Sequence, residues 1–339
     1  MTILNESGTP DVVSPLRGLY SLAQRLPDTL FVVAGTRADA YMIRALSGLL
    51  PGSRTSQTAG GSEARRRVVF VVLEPDEKPR GGALASRVVE AAAGFRRVGS
   101  VMVVACRSAS LLGLDAGFEA ELAGRRLSLP VRAVPTDVIG PGALSTDLED
   151  GVIRSLVELC PRGTPVFAKE RSRQKGGLLG RLRSRPGRQA SSDEPLRRPV
   201  VLLGALPGPQ EELAAELSRA GVEVAGVVPG AEASLEANRL PEVAEGTVVA
   251  ATDPYLSGAC WAARERGATM VETSPPIGVD GTARFIQDVA AAAGHRTSET
   301  RRARRVWESL EHLRSRIRGR RVFFTGDTGL EVPVARFLA

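Results

Sequence analysis

Aromatic residues make up only 4% of this 339-residue chain, and histidine occurs just twice. So few rings leave no stacking platform for single-stranded nucleic acid. His295 and His312 both fall in the basic C-terminal region, and no GxSxG elbow is present, which excludes a serine-hydrolase triad. Cysteine is equally sparse: Cys106, Cys160 and Cys260 are far apart and odd in number. That argues against a disulfide framework and for a reducing compartment. Without a CxxC or a His-rich pair, the chain alone has no complete zinc site. There is no GxxxxGK[ST], so ATP hydrolysis by this chain is not expected, and no GxGxxG follows a strand. Gly, Pro or charge interrupts every apolar run before a membrane-spanning length. The start, MTILNESGTP, lacks the basic and apolar regions of a signal peptide. The expectation is a cytoplasmic protein with no membrane insertion.

Hydrophobic residues, by contrast, reach 43%, enough for the cores of two or three α/β domains. With few aromatics, those cores rest on Val, Leu, Ile and Ala, a composition suited to parallel strands covered by helices. The formal charge is +7 and the pI about 10.0. Much of the basic excess sits in two runs, Lys169 to Arg198 and Arg301 to Arg321. The first is punctuated by Gly, Ser and Pro and reads as a solvated linker. The second alternates with Trp307, Leu310 and Leu313 and reads as the wet face of a helix. No recognised nucleic-acid module accompanies either run, so nucleic acid is not an expected partner.

Strand-like and helix-like segments alternate along the chain. Apolar runs at Leu30–Ala34, Val68–Pro75, Ser100–Cys106 and 130–135 predict four strands. Helical spacing predicts helices near 40–50, 84–95, 111–125 and 148–159. A second series begins with VVLL at Val200 and continues through strands at 222–228, 247–251 and 269–272. Helices are expected at 211–220, 256–267 and after PPIGVDG, and then a long basic helix at 298–318. RVFFTGD predicts one more strand, followed by a short helix. The expected fold is α/β, with tandem doubly wound Rossmann-like domains, mainly parallel sheets and a truncated third domain. The expected division is 1–167, a basic flexible linker at 168–198, a second α/β domain at 199–296, and a helix plus βα remnant at 297–339.

In doubly wound sheets, ligands gather at the carboxyl ends of the strands. Asp39 and Cys106 each follow a predicted strand and could converge there, and Ser14 precedes the first helix-like segment. On residue types alone, a small buried Cys106 and a helix-capping Asp39 are the plainer reading. Cys160 before Pro161, Cys260, and the Pro275–Pro276–Gly278 turn read as packing and turn residues.

Several segments nevertheless resemble, in order, the N-subunit family of dark-operative (light-independent) protochlorophyllide oxidoreductases, of nitrogenase component 1 type. LFVVAGTRADAYMIRALSG is similar to that family's strand, cysteine-bearing turn and helix. VVFVVLEPDE, VMVVACRSASLLGLD, GPGALSTDLEDGVIRSLVELCP and DPYLSGACWAARERGAT continue the likeness. PPIGVDGTARFI and VFFTGDTGLEVPVARFL are its most specific parts.

The resemblance implies an N2B2-like heterotetramer with a B-type subunit. It also implies a transient L-type iron protein that uses ATP to deliver electrons, and a 4Fe–4S cluster at the subunit interface. The substrate would be protochlorophyllide, reduced across its ring-D double bond in chlorophyll or bacteriochlorophyll biosynthesis. The family's three cysteine ligands fall here on Ser14, Asp39 and Cys106, of which only Cys106 is a cysteine. Cys106 is therefore the first expected ligand, Asp39 the second and Ser14 the third. The alternative is a cluster-free paralogue acting as a scaffold or assembly partner.

Overall fold

A computed structural model of the chain describes residues 19–20, 22–23, 26, 28–41, 67–74, 81–134, 145–162, 198–204, 210–229, 240–295, 301–322 and 331–338. Ser14 lies outside these residues, as do the basic run 169–197 and the tip of the predicted RVFFTGD strand. The chain divides into two units. One comprises Met1–Leu159, Pro229–Leu240 and Tyr255–Ala259; the other comprises Cys160–Val228, Pro241–Pro254 and Cys260–Ala339.

The first unit is built on four parallel strands: β1 (Thr29–Gly35), β2 (Val68–Val72), β3 (Ser100–Ala105) and β4 (Val131–Val134), in the order β2-β1-β3-β4. Every residue of β1 and β3 is buried, the pattern of central strands covered on both faces. One face carries Leu30, Val32, Ala34, Val101 and Val103. It packs under Leu84 and Val88 of α1 (Ala83–Ala93) and Ala120 and Ala123 of α3 (Ala116–Leu127). The alternate residues Phe31, Val33, Met102 and Val104 are equally buried. On the remaining edge, α4 (Ser145–Leu159) packs against β4 and buries Leu148, Val152, Ile153 and Leu156.

The spacing at 111–125 predicts one helix, but the structure has two. A five-residue helix, α2 (Arg107–Leu111), starts directly after Cys106, and the chain then breaks before α3. Asp115 causes the restart: its side chain accepts a hydrogen bond from the Phe118 N–H at 2.9 Å, an N-cap. The N-terminus of α1 is satisfied differently. Glu119, buried on α3, accepts the N–H groups of Gly82 and Ala85, each at 2.6 Å.

The second unit repeats the plan with β5 (Val200–Leu203), β6 (Val224–Val228), β7 (Val248–Ala251) and β8 (Thr269–Met270). All are parallel, in the order β6-β5-β7-β8. Its helices are α5 (Gln210–Arg219), α6 (Ser257–Glu265), α7 (Gly278–Ala292), α8 (Arg301–Ile317) and α9 (Glu331–Leu338). Val200, Leu202, Val248 and Ala250 pack against Leu213 and Leu217 of α5 and Phe285, Ile286 and Val289 of α7. Two predicted strands come out shorter, since β6 starts at Val224 and β8 stops at Met270. Arg321 and Val322, expected to open a strand, are irregular and exposed. The tandem α/β architecture of parallel, doubly wound sheets agrees with the expectation from the sequence.

The segments around Gly278 and Phe337 meet in this unit. Gly278 opens α7 at φ +72, and a Cβ there would overlap the ring of Phe337 on α9. Trp307 of α8 completes the cluster. Its indole N–H donates to Asp280 Oδ1 at 2.9 Å, and its ring lies 6.2 Å from that of Phe337.

Candidate functional site

Strand order in the first sheet reverses between β1 and β3, so the connections that follow these two strands diverge there. Ligand crevices form at such switch points in open α/β sheets. The residues at this one are Gly35 and Thr36 after β1, and Cys106 after β3.

The turn after β1 is a capping box. Thr36 sits at the N-cap of the helix that begins at Arg37, and Asp39 three residues later reaches back to it. Asp39 Oδ2 accepts the Thr36 N–H at 2.8 Å and the Thr36 hydroxyl at 2.7 Å. The Asp39 N–H in turn points at Thr36 Oγ1, at 3.4 Å. The sequence T-R-A-D carries this signal in its spacing. A third donor comes from across the switch point: the Ser108 hydroxyl, on α2, donates to the same Asp39 oxygen at 2.5 Å. Ser108 was not legible as a site residue, because its partner lies 69 residues away.

Cys106 holds the N-cap position of α2 in extended conformation (φ −64°, ψ 155°), and its side chain makes no cap hydrogen bond. Its N–H donates to Ala34 O at 2.7 Å, which fastens the end of β3 to β1. The space between the two turns exists because residue 35 is glycine. A Cβ on Gly35 would lie 2.9 Å from Asp39 Oδ2 and 3.0 Å from Cys106 Sγ. Structure thus brings Asp39 and Cys106 together on one rim, with Asp39 half-buried and Cys106 only 2% exposed.

The electrostatics follow from this packing. Burial, joined by the negative charge of Asp39, pushes the Cys106 thiol up to about 12, so it carries its proton at neutral pH. Burial also works to raise the Asp39 carboxyl. Its hydrogen bonds from Ser108 and Thr36 outweigh that and hold it below the ordinary value of 3.8. The carboxylate is stable because it is committed to the chain's own donors.

Around this knot the rim is mixed. Arg37 donates to Glu74 Oε1 through Nε at 3.0 Å and Nη2 at 2.8 Å, tying the β1 turn to the end of β2. Both side chains are well exposed, so the pair contributes only about 0–1 kcal/mol. Val72 at the end of β2, Tyr41 and Leu111 are exposed apolar side chains on the segments that follow these strands.

Cys106 and Asp39 by themselves do not make up the ligand set of a 4Fe–4S cluster. Such a cluster takes anionic ligands, overwhelmingly thiolates. Here the rim offers one buried thiol and one carboxylate oxygen already accepting three hydrogen bonds. Among the described residues, no group of three or more His, Cys, Asp or Glu is placed to hold a metal ion. The other cysteines are not part of this rim. Cys160 is buried at the end of α4, where burial outweighs the pull of Arg266 and pushes its thiol up to about 12. Cys260 is half-buried on α6.

A further carboxylate is likewise turned inward. Asp150 on α4 accepts the N–H groups of Gly258 and Ala259, at 2.7 and 2.8 Å, capping α6 in the segment that clusters with the first unit. Burial raises its pKa despite those bonds. Among the described residues, no helix is long and apolar enough to cross a membrane.

Comparison with known proteins gives the family of the chain. The model of the "Nitrogenase component 1 type Oxidoreductase" family matches residues 149–339. The light-independent protochlorophyllide reductase subunit N of Heliobacterium modesticaldum is 29% identical over 99% of this chain and 73% of its own length. The proteins of the same name from Roseiflexus sp. and Synechocystis sp. are each 28% identical. They match 99% and 98% of this chain, and 70% and 69% of their own lengths. Among solved structures, nitrogenase Cp1 at pH 5 superposes with a TM-score of 0.51 at 13% identity, over 93% of this chain. Nitrogenase Cp1 at pH 6.5 gives 0.50 at 12% over the same share. This chain spans 58% and 64% of those two nitrogenase chains, and the likeness bears on fold alone.

Proposed function

The chain belongs to the nitrogenase component 1 type oxidoreductase family, and on that premise we propose that it is the N-type subunit of a light-independent protochlorophyllide reductase. In this reading it has no activity alone. It assembles with a B-type subunit into an N2B2-like tetramer in the cytoplasm. A separate L-type iron protein spends ATP and supplies the electrons. The substrate is protochlorophyllide, reduced across the ring-D double bond. The observation that carries the reading is the likeness to subunit N proteins along 99% of the chain, at 28–29% identity. Residues 168–198 act in it as a basic connector, with 1–167 and 199–296 as the α/β domains and 297–339 carrying the long basic helix.

Members of this family generally bind iron–sulfur clusters, yet the rim of this chain is already satisfied by its own groups. Its contribution to the complex is therefore architectural: a closed, hydrogen-bonded switch point edged by the exposed Tyr41, Val72 and Leu111, to be covered by the partner subunit. Cluster ligands, where a cluster is present, come from elsewhere than Asp39 and Cys106.

The hydrogen-bonded state of Asp39 favours a second reading as well, a cluster-free paralogue that serves as scaffold or assembly partner. Anaerobic co-expression with a B-type subunit, then incubation with L-type iron protein, ATP and protochlorophyllide, separates the two. Formation of the chlorophyllide absorbance band supports the reductase. An assembled complex without iron or turnover supports the scaffold, and failure to assemble at all overturns both.

A further inference from the structure

The apolar residues of α8 recur at Val306, Leu310, Leu313 and Ile317, the 4-3-4 spacing of a coiled-coil seam. Among the described residues, only the first half of that seam is packed against other parts of the chain. Val306, Trp307 and Leu310 are half-buried, and Trp307 is fastened to Asp280 and packs beside Phe337. From Glu311 to Val322 every residue is exposed. Leu313 is 41% exposed and Ile317 45%, while Val322 lies past the end of the helix and off the seam. The helix therefore projects a narrow apolar line past its own packing, where the sequence pattern suggested an ordinary wet face.

The flanks of the line are basic. With Leu310 and Ile317 at heptad position a and Leu313 at d, the residues at e and g are Arg314 and Arg316. Segment 301–321 holds nine arginines against two glutamates, an excess as large as the +7 of the whole chain. Within the free half, only Glu311 offers an acidic partner, pairing with Arg314 at 3.6 Å on the exposed surface.

We propose that the free half of α8 is a docking seam for an acidic amphipathic helix of a partner protein. Apolar a and d residues of the partner would cover Leu310, Leu313 and Ile317, and carboxylates at its e and g positions would meet Arg314 and Arg316. Charge decides the partner's sign, because residues at e and g set partner choice in coiled coils and like charges there repel. A second copy of this chain would set arginine against arginine. A lipid surface suits a wide apolar face, whereas this line is one seam wide. The inference goes beyond the reductase reading and does not depend on it.

The test uses the full chain and a fluorescein-labelled helical peptide about three heptads long, with Leu at a and d and Glu at e and g. Fluorescence anisotropy should show binding that weakens by about tenfold between low and high salt, as expected for exposed charges. Leu313→Ser with Ile317→Ser, which leaves every arginine in place, should weaken it by at least about tenfold, since both exposed apolar contacts of the seam are lost. Unchanged Trp307 fluorescence verifies that the variant keeps its fold. The proposal is overturned if a Ser-seam peptide of equal charge binds as tightly, or if the double variant binds undiminished. It also fails if the chain ignores the peptide while binding phosphatidylserine vesicles or duplex DNA.

Discussion

Asp39 and Cys106 share the notch left by Gly35: the carboxylate oxygen and the sulfur lie 2.9 and 3.0 Å from where a Cβ on that glycine would stand. The rim at the switch point is thus packed as well as hydrogen-bonded. Gly35→Ala should destabilise the protein by about 1–3 kcal/mol, the usual size of overpacking in a filled core. Cys106→Ala should relieve part of that loss. A double-mutant cycle on urea unfolding checks it, and strict additivity would mean that the sulfur does not crowd residue 35.

The carboxylate at position 39 should show a signature in acid. Its pKa is lowered in the folded chain, so its contribution to stability is complete above the unfolded value of 3.8. That contribution is lost as pH falls through the folded pKa. Asp39→Asn should cost about 1–3 kcal/mol near neutrality, because an amide cannot accept from all three donors. The gap between wild type and variant should stay constant at higher pH and narrow below 3.8. A gap that widened in acid would contradict the assignment.

Thiol chemistry should sort the three cysteines. Cys106 and Cys160 are buried with pKa values pushed up to about 12, while Cys260 is half-buried. Iodoacetamide at neutral pH should label Cys260 first and leave the other two untouched until denaturant is added, as read by peptide mass spectrometry. Rapid labelling of Cys106 in the native chain would mean that the rim is open.

Much of this was legible in the sequence. Continuous apolar runs such as TLFVVAG and SVMVVA marked central parallel strands, and their ends placed Asp39 and Cys106 on one edge. A helix-capping role for Asp39 was also readable, though its partner Thr36 came only with the structure. What escaped was non-local or too short to have a period. Ser108 reaches Asp39 from 69 residues away, and the five-residue α2 carries no helical repeat of its own. That PPIGVDGT and EVPVARFL pack together, with Phe337 against Gly278, was not readable from either segment alone.

That contact gives a fourth expectation. Gly278 stands at φ +72 beneath the Phe337 ring, so Gly278→Ala meets both backbone strain and a clash, and should cost about 1–2 kcal/mol from the backbone alone. In a Trp261→Phe background, emission from Trp307 should shift to the red as α8 and α9 loosen. An unshifted spectrum would mean that α8 is held by other contacts.

The most direct test of the closed rim is iron and acid-labile sulfide in the anaerobically purified complex with a B-type subunit. Wild type is compared with Cys106→Ser, and assembly is verified by size-exclusion chromatography. Equal iron and the same EPR spectrum in both are the expected result. Loss of iron from the assembled Cys106→Ser complex would show that this thiol is a ligand, and would contradict the account.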